Sequence, residues 1–158
     1  MNSSTYCILL TYAGTYVTFN LVIVMSKITH GRGYVYSIQY HVVWCVKYRR
    51  KILYADVLDS LRGILYKLAD DNGFRIEEFG VEADHVHLLL DCSPQHYIPD
   101  MIKALKGVSG RLLMKEHGDR IRDKLWGGHV WNPSYFITTV SENTEEQVRD
   151  YIRGQKER

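Results

Sequence analysis

RIEEFGVEADHVHLLLDC, residues 75–92, contains two short apolar runs that flank the pair Ala83-Asp84. Each run has the length of a β-strand rather than of a helix, and the second run, from residue 85, is the more apolar of the two. The small and polar residues between them leave room only for a tight turn. The stretch therefore predicts an antiparallel hairpin with strands over 75–82 and 85–92.

The second strand carries His85-Val86-His87, and both histidines fall on one face of the sheet because side chains alternate along a strand. The opposite face is apolar at positions 86, 88 and 90. Two imidazoles on one face can bind a single metal ion, although an isolated His-x-His motif can also be two surface histidines. Two histidines beside an apolar run in mid-sheet cost free energy if their polar nitrogens lack partners, and this favours a functional pair.

Elements on either side of the hairpin complete a recognisable order. The order predicts an α+β fold of the ferredoxin-like split βαββαβ type. Its four-stranded antiparallel sheet would have two helices on one face and an extra C-terminal helix on the other. The remaining predicted elements are a strand over 34–46, a helix over 56–72, a helix whose first turn contains Pro99, a strand over 135–140 and a last helix that begins at Thr144.

Alternation along residues 34–46 predicts one apolar face and one more polar face, which includes Gln39, His41 and Cys45. The helix over 56–72 has an apolar stripe at helical spacing and ends at Asn72-Gly73. Leucine, isoleucine and valine mark the inward face of the second helix. Its outer face is predicted to hold lysines, namely Lys103, Lys106 and Lys115.

The first residues differ in character from this core. Residues 1–24 contain an apolar-rich run that lacks a preceding positive charge and is interrupted by polar residues, so it is a poor signal peptide and a weak membrane span. Met25 opens a polar lead-in to the strand over 34–46. We therefore expect residues 1–24 to be an upstream extension and residues 25–158 to be a single domain. A strand or a membrane-associated segment is the alternative for residues 1–24.

Composition sets wide limits on function. The chain has 158 residues, of which 46% are hydrophobic and 24% charged, and these values are typical of one globular domain. Its net charge of +2 does not by itself indicate a polyanionic partner. The three cysteines lack metal-ligand spacing, which favours a reducing cytoplasm. No Gly-x-x-x-x-Gly-Lys phosphate loop is present, so no nucleotide cofactor is expected.

Basic residues occur in clusters with tyrosines among them. Lys47, Tyr48, Arg49 and Arg50 form one such cluster, and Arg153 belongs to another near the C-terminus. Cations pair with phosphates while aromatic rings stack on bases, so this pattern predicts contacts with single-stranded nucleic acid. Ordinary solvated faces are the alternative for each cluster.

The last helix places Tyr151 and Gln155 one turn apart on its inward stripe. A tyrosine there could be a core residue, whereas a buried glutamine amide requires a hydrogen-bonding partner. Its carbonyl oxygen could be a third ligand beside the imidazoles of His85 and His87. A site with two nitrogens and one oxygen suits Mn²⁺, or Mg²⁺ when phosphate supplies further oxygens.

Four features together resemble the single-tyrosine HUH transposases, which are the TnpA or IS200-like enzymes of small bacterial insertion sequences. They are His85-Val86-His87, the pair Tyr151 and Gln155 at Tyr-x-x-x-Gln spacing, YHVVWCVKYRR over 40–50 and SYFITTV over 134–140. The resemblance extends from about Gly33 to the C-terminus, and residues 1–24 lie outside it.

The resemblance implies a metal-dependent enzyme that cleaves and rejoins single-stranded DNA through a 5′-phosphotyrosine. By the same resemblance Tyr151 is the nucleophile, and His85, His87 and Gln155 bind the Mg²⁺ or Mn²⁺ ion. Family members are homodimers that recognise hairpins at the ends of the element. His41 matches a family histidine on the first strand, for which a structural hydrogen bond is expected.

Three other functions fit some of these residues. A nucleic-acid-binding module without catalysis could use the same split fold, but its aromatic sheet-face signature is missing. A metal-dependent phosphoesterase would use His85 and His87 with water, and would need neither Tyr151 nor a dimer. A domesticated relative that cleaves chromosomal repeat hairpins would share every residue named above.

Overall fold

The computed structural model describes residues 6–12, 15–21, 29–31 and 33–140. A four-stranded antiparallel sheet and two long helices dominate this part of the chain. In chain order the strands and α-helices are β1 Tyr6–Tyr12, β2 Thr15–Leu21, β3 Thr29–Gly31, β4 Tyr34–Tyr36, β5 Gln39–Cys45, α1 Ala55–Asn72, β6 Arg75–Glu82, β7 His85–Asp91, α2 Ile98–Ile121 and β8 Phe136–Val140.

The strand order of the main sheet is β6-β7-β5-β8, and every neighbouring pair is antiparallel. Both helices contribute side chains to one core that also contains one face of this sheet. The predicted α+β fold with the split βαββαβ order is therefore confirmed. The predicted C-terminal helix on the other face lies outside the described residues, as do all residues after Val140.

The core face of the sheet follows the period-two pattern of β5 and β7. Val86, Leu88 and Leu90 of β7 are completely buried, and Val42 and Trp44 of β5 lie beside them. His85, His87 and Leu89 fall between the core residues and are absent from the core cluster. Alternation in the sequence therefore separated the two faces of β7 correctly.

Helix boundaries also match the sequence signals. Helix α1 ends at Asn72, and Gly73 follows in the left-handed conformation, with φ of 75°. A residue with a Cβ would be strained at that angle, so glycine stops the helix at low cost. Helix α2 starts at Ile98 with Pro99 in its first turn, where the missing N–H has no helical partner to lose.

The buried stripe of α2 differs from the prediction at two kinds of position. Ser109 and His117 lie on the buried face, and each has a hydrogen-bonding partner there. Lys106 does not belong to an outer face as predicted, because it is half-buried. Its Nζ donates to three carbonyl oxygens of the connection to β8, those of Asn132, Pro133 and Ser134, at 2.8, 2.9 and 2.9 Å.

The predicted continuous strand over 34–46 is wrong in one respect. It is interrupted at Ser37 and Ile38, and the part before the break, β4, pairs with β3 in a separate two-stranded sheet. The part after the break, β5, is interior and uses both of its edges, on β7 and β8. A dimer that pairs the β5 strands of two chains is therefore excluded, which leaves β6 and β8 as the edges of the described main sheet.

Strand β6 contains a β-bulge between Ile76 and Glu78. Ile76 pairs with Leu90, but the next paired residue is Glu78, opposite Leu89. Because of the extra residue, even-numbered side chains face the core before the bulge and odd-numbered side chains face it afterwards. Ile76 and Phe79, which are an odd number of residues apart, consequently both pack toward the core.

Residues near the N-terminus form a separate hairpin in which β1 pairs with β2 from Tyr6↔Leu21 to Tyr12↔Thr15. The alternative that this segment contains strands is thus confirmed, whereas its status as an upstream extension stays a prediction. None of the helices within the described ranges is long and apolar enough to cross a membrane.

The role of Lys106 can be tested by substitution with methionine, which keeps an apolar stem and removes the three donated hydrogen bonds. We expect Lys106→Met to lower the free energy of unfolding by about 1–3 kcal/mol, because the three carbonyls lose a charged donor. Denaturant unfolding measures the change. Lys103→Met, at an exposed position on the same helix, is the control. Equal stability of the two variants would contradict the anchoring role.

Candidate active site

The two histidines of β7 lie together on the sheet face that is turned away from the helical core. Their ring centroids are 4.7 Å apart, with an angle of 47° between the ring planes. Across the ladder from β5, Cys45 is opposite His85 and Val43 is opposite His87. The predicted pairing of the two imidazoles on one face is therefore present in the fold.

The carboxylate of Asp84 contacts His85, and the guanidinium of Arg49 contacts that carboxylate. Asp84 Oδ1 lies 2.5 Å from Nδ1 of His85, and Asp84 Oδ2 lies 2.9 Å from Nε of Arg49. These contacts with the imidazole and the guanidinium hold the pKa of Asp84 below its usual range despite its burial. Because Nδ1 is engaged by Asp84, Nε2 is the nitrogen of His85 that is left for coordination.

His87 is partly buried and has two imidazoles beside it. Burial, together with the neighbouring imidazoles of His85 and His41, lowers the pKa of His87 to about 4. The His41 ring stacks on the His87 ring with 6.0 Å between centroids. His87 is thus neutral near pH 7, and only the neutral imidazole can act as a metal ligand. His41 thus adjoins the histidine pair, and the structural hydrogen bond expected for it stays a prediction.

Residues on the strands around His87 shape the space beside it. Gly80 is directly opposite His87 on β6, where a Cβ would lie 3.6 Å from Cβ of His87. A side chain on β6 at this position would lie against the imidazole, and glycine has none. On the other side, Phe136 of β8 makes an edge contact with His41, at 6.4 Å between ring centroids.

The two imidazoles fit part of a metal site. They are nitrogen ligands on one face, and one of them already has the carboxylate partner that metal-binding histidines usually have. Within residues 29–31 and 33–140 no group of three or more His, Cys, Asp or Glu residues could hold an ion. The other predicted ligand, Gln155, and the predicted nucleophile, Tyr151, lie outside the described residues, as does Arg153.

The predicted DNA-binding residues Lys47, Tyr48, Arg49 and Arg50 follow β5 directly, in and after a short 3₁₀ turn. Tyr48 is 61% exposed and has the Nζ of Lys47 5.6 Å from its ring centroid. Tyr48 and Arg49 both have positive φ, 56° and 52°, which is uncommon for residues with a Cβ. Arg50 is exposed, whereas Arg49 is turned toward Asp84. Their contact with DNA stays a prediction.

Sequence reasoning missed Asp84 and the ion pair that it makes with Arg49. A signal for Asp84 was present, because an aspartate directly before the first histidine of the pair is within reach of its ring. No comparable signal existed for Arg49, which lies 35 residues away in the chain. Gly80 was missed for a similar reason, since its place opposite His87 depends on the register of the hairpin.

Comparison with known proteins identifies the class to which this fold and site belong. The family described as Transposase IS200 like matches residues 34–155, which include the whole main sheet, both helices and the predicted last helix. The chain therefore belongs to the IS200-like, single-tyrosine HUH transposase family. As a member of that family it is a transposase, an enzyme that cleaves DNA and transfers strands.

Individual relatives agree with this assignment. The ISDra2 transposase TnpA of Deinococcus radiodurans is 48% identical over 137 residues, which cover 87% of this chain and 97% of the relative. The transposase of insertion sequence IS200 from Salmonella typhimurium is 34% identical over 122 residues, which cover 77% of this chain and 79% of the relative.

Solved structures share the fold. A crystal structure of a Deinococcus radiodurans R1 transposase superposes with a TM-score of 0.67 at 46% identity, and covers 80% of this chain and 97% of its own. A REP-associated tyrosine transposase bound to a REP hairpin superposes with a TM-score of 0.51 at 17% identity, and covers 82% of this chain and 73% of its own. The second likeness shows the fold alone.

The division of β7 into a core face and a site face leads to a direct test. His87→Ala should keep the fold, because the imidazole lies outside the core, whereas Leu88→Ala should lower the free energy of unfolding by about 2–5 kcal/mol through a core cavity. Circular dichroism and denaturant unfolding measure both effects. If His87→Ala lowered the free energy of unfolding as much as Leu88→Ala does, the histidine would be a structural residue.

Proposed function

We propose that this transposase cleaves and rejoins single-stranded DNA through Tyr151, with His85, His87 and Gln155 as ligands of a divalent metal ion, Mg²⁺ or Mn²⁺. The observation that carries the proposal is the imidazole pair on β7, 4.7 Å apart at the ring centroids, in a chain of this family. Two imidazoles on one face, one of them with a carboxylate beside its Nδ1, are a suitable donor set for such an ion.

The reaction assigns separate tasks to the residues of the chain. The Tyr151 hydroxyl loses its proton as it attacks the scissile phosphorus, so that a bond forms between the phenolic oxygen and phosphorus while the bond to the 3′ oxygen breaks. The 3′ oxygen leaves as a hydroxyl after it takes up a proton, and the 5′ end stays on Tyr151 as a phosphodiester. A second 3′-OH can then displace the tyrosine without an external energy source.

His85, His87 and the Gln155 carbonyl would hold the metal ion beside this phosphate. When bound, the ion polarises the phosphate and offsets the negative charge that develops during attack. The low pKa of His87 keeps its nitrogen available at neutral pH. Asp84 engages Nδ1 of His85, so that ring would bind the ion through Nε2.

The proposed substrate is single-stranded DNA with hairpins at the ends of an insertion sequence. The exposed side chains of Tyr48 and Arg50 lie on the turn whose Arg49 contacts Asp84, and Lys47 lies beside them. An aromatic ring between cations is suited to stacking on an unpaired base beside phosphates. One structural relative was solved with a REP hairpin, which is consistent with a structured single strand as the substrate.

Replacing Tyr151 by phenylalanine tests the nucleophile. Tyr151→Phe keeps the ring and removes only the hydroxyl, so we expect no covalent protein–DNA adduct while hairpin binding stays near the wild-type value. The measurement uses labelled hairpin single strands with Mn²⁺ and denaturing gels, beside a gel-shift assay for binding. His87→Ala is the matched variant, and it too should bind without forming the adduct. An adduct with the Phe variant would identify another residue as the nucleophile.

We also propose a homodimer in which the helix that carries Tyr151 serves the histidine pair of the partner subunit. Edges for a two-fold contact exist at β6 and β8, whose outer ladder groups are not used within the described main sheet.

Subunit exchange between two inactive variants tests the crossed arrangement. A mixture of Tyr151→Phe and His87→Ala chains should recover adduct formation, because one site of each mixed dimer would then combine wild-type histidines with a wild-type tyrosine. Sites built from a single chain would always contain one of the two substitutions. Failure to recover activity after proven exchange would contradict crossing, and a monomer in sedimentation would contradict the dimer.

A further inference from the structure

The turn between β6 and β7 contains a short chain of polar contacts that the proposed reaction does not by itself require. Both oxygens of Asp84 are engaged, Oδ1 by Nδ1 of His85 at 2.5 Å and Oδ2 by Nε of Arg49 at 2.9 Å. The side chains of His85 and Asp84 are only 8% and 16% exposed. Contacts of this kind are more than surface ion pairs, because water has little access to compete for them.

The chemistry of the three groups determines where the hydrogens lie. A guanidinium can only donate, and an ionised carboxylate can only accept. Arg49 therefore donates to Oδ2, and Nδ1 of His85, which faces Oδ1, must carry a hydrogen and donate it. A histidine that binds a metal ion does so as the neutral ring, which has a single N–H. That tautomer leaves the lone pair on Nε2, on the far side of the ring from Asp84.

The backbone of the turn is held separately from these side chains. The Asp84 carbonyl accepts from the Val46 amide at 2.8 Å, and the Ala83 carbonyl accepts from the amides of Ile52 and Leu53, both at 3.0 Å. The main chain at Asp84 is thereby fixed by three hydrogen bonds. A substitution of the Asp84 side chain should change the polarity next to His85 without loosening the turn.

We propose that Asp84 is a positioning residue that fixes His85 in the Nδ1–H tautomer and directs Nε2 toward the metal ion, while Arg49 fixes the orientation of the Asp84 carboxylate. This inference rests on the proposed function, because it assigns to Asp84 an effect on metal binding. Outer carboxylates of this type change metal affinity by roughly 10–100-fold in other metal sites.

Arg49 makes the consequences of two substitutions differ. In Asp84→Asn the amide oxygen should remain toward Arg49, since the guanidinium offers only donors, so the NH₂ group would face Nδ1 of His85. Nδ1 must then accept, and the hydrogen moves to Nε2, where it blocks coordination; a comparable exchange disables a serine-protease triad. Asp84→Ala removes the partner but leaves the ring free to adopt either tautomer. Asparagine should therefore be worse than alanine, although it is closer in shape.

The experiment measures Mn²⁺ affinity of the purified full chain by electron paramagnetic resonance. We expect a loss of about 100-fold for Asp84→Asn and of about 10-fold for Asp84→Ala. Asp91→Asn is the matched control, because Asp91 is a buried aspartate of β7 whose Oδ2 lies 2.5 Å from Arg75, and its affinity should be close to wild type. Nitrogen-15 NMR of the metal-free protein should show the hydrogen of the neutral His85 ring on Nδ1 in the wild type and on Nε2 in Asp84→Asn.

The possible failures are distinguishable. If His87→Ala binds Mn²⁺ as the wild type does, the histidine pair is not the metal site, and both the proposed function and this inference are wrong. If His87→Ala loses Mn²⁺ but Asp84→Asn keeps it, the metal site stands and the positioning role is wrong. If NMR of the wild-type protein showed the hydrogen of the His85 ring on Nε2, the positioning role would be wrong whatever the metal affinities are. This measurement does not depend on any variant being folded.

Discussion

A strand in the middle of the sheet has one face on the helical core and one face turned away from it. Strand β7 meets this constraint because its apolar and histidine side chains alternate. Its even-numbered side chains, at positions 86, 88 and 90, are fully buried under the helices, while its odd-numbered positions 85 and 87 carry the histidines. Because β7 pairs with β6 on one side and β5 on the other, a slip of one residue would move the imidazoles into the core and leucines into the site. The geometry of the histidine pair is therefore specified by the same burial that stabilises the domain.

Much of the fold was predictable because its signals are local. The turn at Ala83-Asp84, the glycine stop after α1 and the proline in the first turn of α2 each depend on a few neighbouring residues. The break at Ser37 was not predictable, since it depends on which partner each half of the strand acquires. The burial of Lys106 likewise depends on three carbonyls that lie 26 to 28 residues away.

In the candidate site, too, features set by local sequence were predictable and features set by distant residues were not. Period-two alternation was enough to place both histidines on one face, and the position of His41 beside them follows from the pairing of β5 with β7. The ionisation of His87 could not be predicted, because its low pKa reflects burial and two imidazoles brought together by sheet register. The partnership of Arg49 with Asp84 depends on how the turn after β5 folds back, which no short-range pattern encodes.

The hydrogen bonds between that turn and the β6–β7 turn have a thermodynamic consequence. Three backbone amides in residues 46–53 are bonded to the carbonyls of Ala83 and Asp84, so the two segments form one mechanical unit. A molecule that binds the exposed face of the first segment therefore binds a segment that is hydrogen-bonded to the residues directly before His85. If the first segment binds DNA and the histidine pair binds an ion, as proposed above, the two binding free energies would be linked. The linkage would be reciprocal, so that the factor by which DNA raises the affinity for the ion equals the factor by which the ion raises the affinity for DNA.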